Sequence, residues 1–303
     1  MPKKQWVSEP IVLIDKTIND VTPMFSIVMP IHNQENIVNR VLNSILQNTV
    51  GRYEIILIID GCTDNTKMNV ISWIEKIPNT KELVKILVFE NITGIFETSC
   101  DNQGFIHSRG KYIVEIQADM GILTYGFNII LATPLELFDD LIAVGGRCCH
   151  GLNGLTPSIN NGKMGGETEF PHQIQFSQYN IVKLSHTTNR GPIVLSRTKL
   201  HELGYLDEEH YVLGDDDHDL FTRAYNQKRW RAGFIPIEVF SPSEWGSTRK
   251  SSSVEVRNYL SSREMKMKDG FLGKFRANFI YPIGEVRNMD ILDQTTARTR
   301  LLA

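Results

Sequence analysis

This sequence predicts an α/β fold in which an open, mostly parallel sheet is flanked by helices. Three observations carry that prediction. Short apolar, β-rich runs alternate with helical spacing through the first 120 residues. Polar clusters follow the ends of those runs, where open α/β sheets bind ligands. The alternation then lapses into a long Gly-, Asn-, Ser- and Thr-rich stretch.

In chain order, residues 25–31 (Phe-Ser-Ile-Val-Met-Pro-Ile) read as a buried strand. Asn33 and Glu35 open a helix whose Ile37, Val41, Leu42, Ile45 and Leu46 share a face. Residues 54–60 are nearly continuous in Ile and Leu, as a parallel strand covered on both faces is. After a cap-rich turn, Val70, Trp73, Ile74 and Ile77 mark a second helix, which Pro78 stops. Strands at 85–89 and 112–118 flank a helix at 101–108. Residues 145–191, with Gly151, Gly154, Gly162, Gly165 and Gly166, read as long loops of the functional kind. One helix begins near Ser196 and ends at Gly204. Another follows Gly214 and carries Leu220, Phe221, Ala224 and Tyr225, and a last one is expected at 254–268.

The 303 residues hold 32 Lys and Arg against 35 Asp and Glu, a net charge of −3, and 41% are hydrophobic. A chain so balanced carries no basic footprint for a nucleic acid, and its length buries a core without staples. Cys62, Cys100, Cys148 and Cys149 form no C-x-x-C pair and no zinc spacing. Reduced thiols and a cytoplasmic location are expected. No apolar run approaches the ~18 residues of a membrane helix, and the run at 11–14 is too short for a signal peptide.

Three groups of residues stand where a sheet edge does chemistry. Asp60 follows a buried strand, placed either to receive a ligand or to cap the next helix, as Asp64 does well. Asp119 follows another strand, and a lone carboxylate there either holds a divalent cation through oxygen or ends a turn. Asp215, Asp216, Asp217 and Asp219 surround a helix start, which favours acids through the helix dipole. Such crowding also raises a carboxylate's pKa toward that of a general base. His218 reads as a solvated histidine rather than a metal ligand.

Their order and spacing resemble the family-2 glycosyltransferases of the GT-A fold, over about 25–250. Phe25-Ser26-Ile27-Val28-Met29-Pro30-Ile31-His32-Asn33-Gln34-Glu35 is similar to the family's S-V-I-x-P-x-Y-N-x-E. Ile58-Ile59-Asp60-Gly61-Cys62-Thr63-Asp64-Asn65-Thr66 resembles V-D-D-G-S-T-D-x-T. The stretch from Asn102 to Ile113 resembles N-x-G-x-x-x-A-R-G-x-Y-I. Gln117-Ala118-Asp119 stands at the D-x-D motif, and residues 197–220 resemble its R…G-x-x-D-E…E-D-x-D-L.

The resemblance implies an enzyme moving one sugar from a nucleotide donor, UDP- or GDP-linked, to a carbohydrate or glycoconjugate hydroxyl with inversion. Asp217 would be the general base with Asp216 its neighbour. Asp60 would hold the base of the nucleotide, with Pro30, His32, Asn33, Glu35, Gln117 and Ala118 along the donor pocket. Asp119 would carry Mn²⁺ or Mg²⁺ on the diphosphate. Arg109 either meets the diphosphate or ends a helix at the surface. Glu244 is a second candidate metal ligand, Trp245 a candidate lining of the sugar or acceptor site, and Arg249 a phosphate contact.

On this reading residues 1–24 form an N-terminal arm, 25–120 the nucleotide-sugar half, 121–250 the acceptor and catalytic half, and 251–303 a C-terminal helical extension. Two departures stand out: Gln117 replaces the first acid of D-x-D, and Ile59 replaces the first Asp of the second motif. Gln117 motivates the alternative of a degenerate module that binds sugar nucleotide or glycan without turnover. Gln227-Lys228-Arg229-Trp230 is one residue short of the Q-x-x-R-W of processive membrane synthases. A nucleotidyltransferase or a dinucleotide dehydrogenase is disfavoured, because residues 30–35 contain no glycine.

Overall fold

Continuous runs of Ile, Val and Leu need cover on both faces, and the first strands receive it by pairing in parallel at the centre of a sheet. The structure is a computed structural model that describes residues 10–78, 80–150, 179–246 and 284–303. The chain runs β1 (Ile11–Thr17), β2 (Phe25–Ile31), α1 (Val38–Asn48), β3 (Tyr53–Asp60), α2 (Thr66–Lys76), β4 (Leu83–Asn91), α3 (Phe96–His107) and β5 (Tyr112–Glu115). It continues through β6 (Gly121–Ile122), α4 (Phe127–Leu137), β7 (Leu141–Gly145), β8 (Cys149–His150), β9 (Ile181–Ser185), β10 (Thr187–Thr188) and β11 (Ile193–Ser196). The remaining elements are α5 (Arg197–Leu203), α6 (Asp216–Lys228), β12 (Arg231–Phe234), β13 (Val239–Phe240), β14 (Val286–Asn288) and α7 (Ile291–Leu302).

Among the described residues the main sheet has ten strands, in the order β1-β4-β3-β2-β5-β11-β7-β12-β9-β14. β4, β3, β2 and β5 are parallel neighbours, with Ile27 beside Ile55 and Ile27 beside Val114. β11 enters antiparallel between β5 and β7, and β12 resumes the parallel direction beside β7. Residues 11–17, read from sequence as part of an arm, form the antiparallel edge strand β1 on β4.

The two-residue period of the strands divides the core. Phe25, Ile27, Met29, Ile31, Ile55, Leu57 and Ile59 face one apolar cluster with the buried sides of α1, α2 and α4. Val28, Ile56 and Ile58 face the other with Cys100 and Phe105 of α3, Leu200 of α5 and Leu220, Phe221 and Ala224 of α6. Thus α3 and α6 share a face of the sheet, which brings their first turns together.

Helix α3 begins at Phe96, ahead of the expected 101, and β5 ends at Glu115, ahead of the expected 118. The helix expected at 254–268, and most of the loop segment 145–191, lie outside the described residues. No helix among the described residues is long and apolar enough to cross a membrane.

Candidate active site

The carboxyl ends of β2 and β3 and the chain following β5 open onto a cavity of about 320 Å³. Pro30, His32, Asp60, Gln117, Ala118 and Asp119, all expected from sequence, line it together. Gln34, Glu97, Cys100 and Leu213 line it as well and were not expected.

Asp60, the last residue of β3, does not cap α2. Its two carboxylate oxygens accept the Ile95 and Phe96 backbone N–H groups at 2.8 and 3.0 Å, and Asn91 Nδ2 donates to it at 3.4 Å. These charge-assisted bonds replace a side-chain cap at the start of α3 and hold Phe96 at φ 67°, a conformation a bulky residue rarely adopts. The backbones are close here: a Cβ on Gly61, itself at φ 54°, would lie 2.7 Å from the Gly94 nitrogen. His32 Nδ1 donates to the Asp60 carbonyl at 2.6 Å, and its Nε2 lies 3.2 Å from Asn33 Nδ2.

Asn33 and Glu35 tie the loop after β2 to the loop after β3. Asn33 Oδ1 accepts Thr63 N–H at 2.8 Å, Glu35 N–H donates to Asp64 at 3.1 Å, and Glu35 Oε2 accepts Asn65 N–H at 3.0 Å. The structure therefore places both residues in the scaffold beside the cavity and not in its wall.

Behind the cavity lies a buried charge cluster. Gln117 Nε2 donates to Glu97 Oε1 at 2.6 Å. Arg190 Nη2 stands 3.5 Å from Glu97 Oε2, while Nη1 meets the Asp101 carboxylate and lies 3.1 Å from Asp216 Oδ2. Glu115 accepts Gly191 N–H at 2.8 Å, and Thr98 Oγ1 donates to Asp216 at 2.6 Å. One guanidinium thus faces Glu97, Asp101, Glu115 and Asp216 in a low-dielectric interior, where that many uncompensated charges are costly. Burial, with neighbouring carboxylates and against Arg190, raises Asp101 well above its ordinary value and pushes Glu115 up to about 8. Burial and Asp217, against Arg190, push Asp216 up to about 6. The Glu97, Asp101 and Glu115 oxygens lie within 4.8 Å of one another, but Arg190 already serves as the cation of that cluster.

Asp216 and Asp217 start α6 directly after Asp215, which sits at φ 58°. Asp217 is 9% exposed, and its Oδ1 accepts His218 N–H at 2.8 Å. His218 is no solvated residue: Nδ1 lies 3.1 Å from Asp215 and Nε2 3.9 Å from Asp217. Burial disfavours its charged form, but Asp217, Asp215 and Asp216 outweigh that and raise its pKa.

Several expected residues stand elsewhere. Arg109 bonds Glu54 through Nε at 2.9 Å, and its N–H donates to the same carboxylate at 2.7 Å. That places it at the amino ends of β2 and β3, opposite the cavity, because its helix runs back along the strands. Glu244 is exposed on a 3-10 turn, Ser243–Trp245, and does not line the cavity. The Trp245 ring packs edge-on against Phe240 at 5.0 Å and under Arg40 at 5.1 Å, outside the cavity wall, and its carbonyl accepts Gln34 Nε2 at 3.0 Å. Arg249 lies outside the described residues.

A profile of glycosyl transferase family 2 matches residues 26–123. The chain is 23% identical over 194 residues to the UDP-Glc:alpha-D-GlcNAc-diphosphoundecaprenol beta-1,3-glucosyltransferase WfgD of Escherichia coli, covering 63% of this chain and 68% of that one. Residues 26–123 carry the match to glycosyl transferase family 2. The chain has the GT-A fold. It superposes on the mannosyltransferase PcManGT from Pyrobaculum calidifontis, solved with GDP-Man and Mn²⁺, at a TM-score of 0.51 and 17% identity. That match covers 77% of this chain but only 59% of the other. TarS 1-349 of S. aureus, solved with UDP-GlcNAc, matches at a TM-score of 0.51 and 15% identity, over 82% of this chain and 67% of that one.

In this chain, Glu97, Asp101, Glu115 and Arg190 were not expected from the sequence. Glu115 had a readable signal, a carboxylate interrupting the apolar run Tyr112-Ile113-Val114. Arg190 had none, because it sits in a segment without periodicity.

Proposed function

We propose that this chain transfers one sugar from a nucleotide-linked donor to a hydroxyl of a carbohydrate or glycoconjugate, with inversion at the anomeric carbon. The observation that carries this reading is the single cavity that gathers Asp60, Gln117, Ala118 and Asp119 beside the acid-rich start of α6. Pro30, His32 and the Asp60–Gly61 edge receive the nucleotide, and Asp119 stands at the diphosphate end. Asp217 takes the proton of the acceptor hydroxyl as its oxygen attacks the face opposite the diphosphate. His218, its pKa raised by Asp217, Asp215 and Asp216 against burial, stands beside that carboxylate.

The donor set at the diphosphate end is Asp119 with the oxygens of Gln117 and Glu97, hard ligands suited to Mn²⁺ or Mg²⁺. A divalent cation bound there supplies charge neutralisation of the departing nucleoside diphosphate. The Glu97–Gln117 bond favours this reading over a degenerate module, because it returns a carboxylate to the place where D-x-D has lost one.

Titration calorimetry with UDP and with GDP, each with and without Mn²⁺, tests the proposal. One nucleotide is expected to bind, more tightly with Mn²⁺, and Asp119→Ala is expected to abolish that enhancement. Wild-type protein that binds neither, or an Asp119→Ala variant indistinguishable from it, sinks the reading.

A further inference from the structure

We infer that Glu97 supplies, from α3, the second carboxylate of the diphosphate end, and that Gln117 is the amide that orients it. This rests on the donor reading above. Both residues line the cavity with Asp119, and Gln117 spends its NH₂ group on Glu97 at 2.6 Å. A carboxylate at position 117 would set acid against acid at that distance, a repulsion the amide of Gln117 replaces with a hydrogen bond.

Glu97 has no easy retreat. Arg190 stands behind it at 3.5 Å, and Asp60 pins the backbone of the two residues before it. The strained φ of Phe96 persists because that clamp over-determines it. Gln117 is walled in as well: a Cβ on Gly191, at φ 64°, would lie 3.0 Å from Gln117 Cγ and N. Two carboxylates, Glu97 and Asp119, therefore line one cavity, as in a D-x-D pattern, but one comes from α3 and the other from the chain following β5.

Exchanging the pair tests this. Glu97→Gln, Gln117→Asp and the double variant are compared with wild type by calorimetry with UDP and GDP, with and without Mn²⁺. Free Mn²⁺ is read by electron paramagnetic resonance, and melting temperatures report folding. Glu97→Gln is expected to weaken Mn²⁺ retention and Mn²⁺-dependent nucleotide binding by about 10–100-fold, the usual cost of losing a group that holds or orients a metal ligand. Gln117→Asp alone is expected to weaken both, and the double variant to recover most of the loss. A Glu97→Gln variant with unchanged Mn²⁺ dependence overturns the inference, as does a Gln117→Asp variant tighter than wild type. The latter decides even if Glu97→Gln fails to fold. Wild-type protein that binds neither nucleotide overturns the donor reading itself, whereas wild-type binding matched by Glu97→Gln overturns only the pairing.

Discussion

At the scale of single residues, the acids of this site divide by what surrounds them. Asp60 is saturated by backbone N–H groups and therefore builds the pocket as much as it faces it. Asp216 is buried and shared between Thr98 and Arg190, so it cannot leave its place to take a proton from an acceptor. Asp217, which in the contacts described above meets only backbone and His218, is the carboxylate to which the proposal gives that role. Replacing Asp217 with Asn should lower transfer by about 10²–10⁴-fold, the worth of a positioned general base. Nucleotide binding, followed by calorimetry, should hold near the wild-type value.

At the scale of elements, helix α3 decides where the site residues lie. It packs on β2 and β3 through Gly104, where a Cβ would stand 2.2 Å from Val28 Cγ1 and 3.1 Å from Ile58 Cδ1. Gly104→Ala should therefore destabilise the fold by about 1–3 kcal/mol, the usual cost of overpacking, measured by urea unfolding. The sequence announced β2, α1, β3 and α2 because continuous apolar strands and one-sided helices leave periodic signals. It hid the true start of α3, since Ile95 and Phe96 are held by Asp60 rather than by a capping side chain. It also hid α4, apolar nearly all round and carrying Pro134, and the short strands β7, β11 and β12, each only four or five residues long. Among site residues, those on strand ends with motif spacing were legible. Arg190 was not, because only the antiparallel insertion of β11 brings its segment against β5.

At the scale of the whole molecule, the buried cluster makes stability depend on pH. Glu115 has a native pKa of about 8 against an ordinary 4.5. A raised carboxylate pKa favours the folded state fully below about 4.5, and that contribution is lost as pH rises through 8. Wild-type protein should thus become less stable between pH 5 and 8. Glu115→Gln should flatten this decline and gain at pH 9, by roughly 2–4 °C in melting temperature for each ~1 kcal/mol recovered. A steeper decline in the variant would refute the sign.

Arg190 has one consequence that reaches across the fold. Its guanidinium touches Glu97 in the cavity wall and Asp216 at the start of α6, so the two regions share a counter-charge. Whatever ion or phosphate settles against Glu97 alters the field in which Asp216 holds its proton. By reciprocity, the protonation of Asp216 alters the affinity of the cavity for that guest by the same factor. Occupancy of the pocket and proton occupancy at the start of α6 are two readings of one equilibrium.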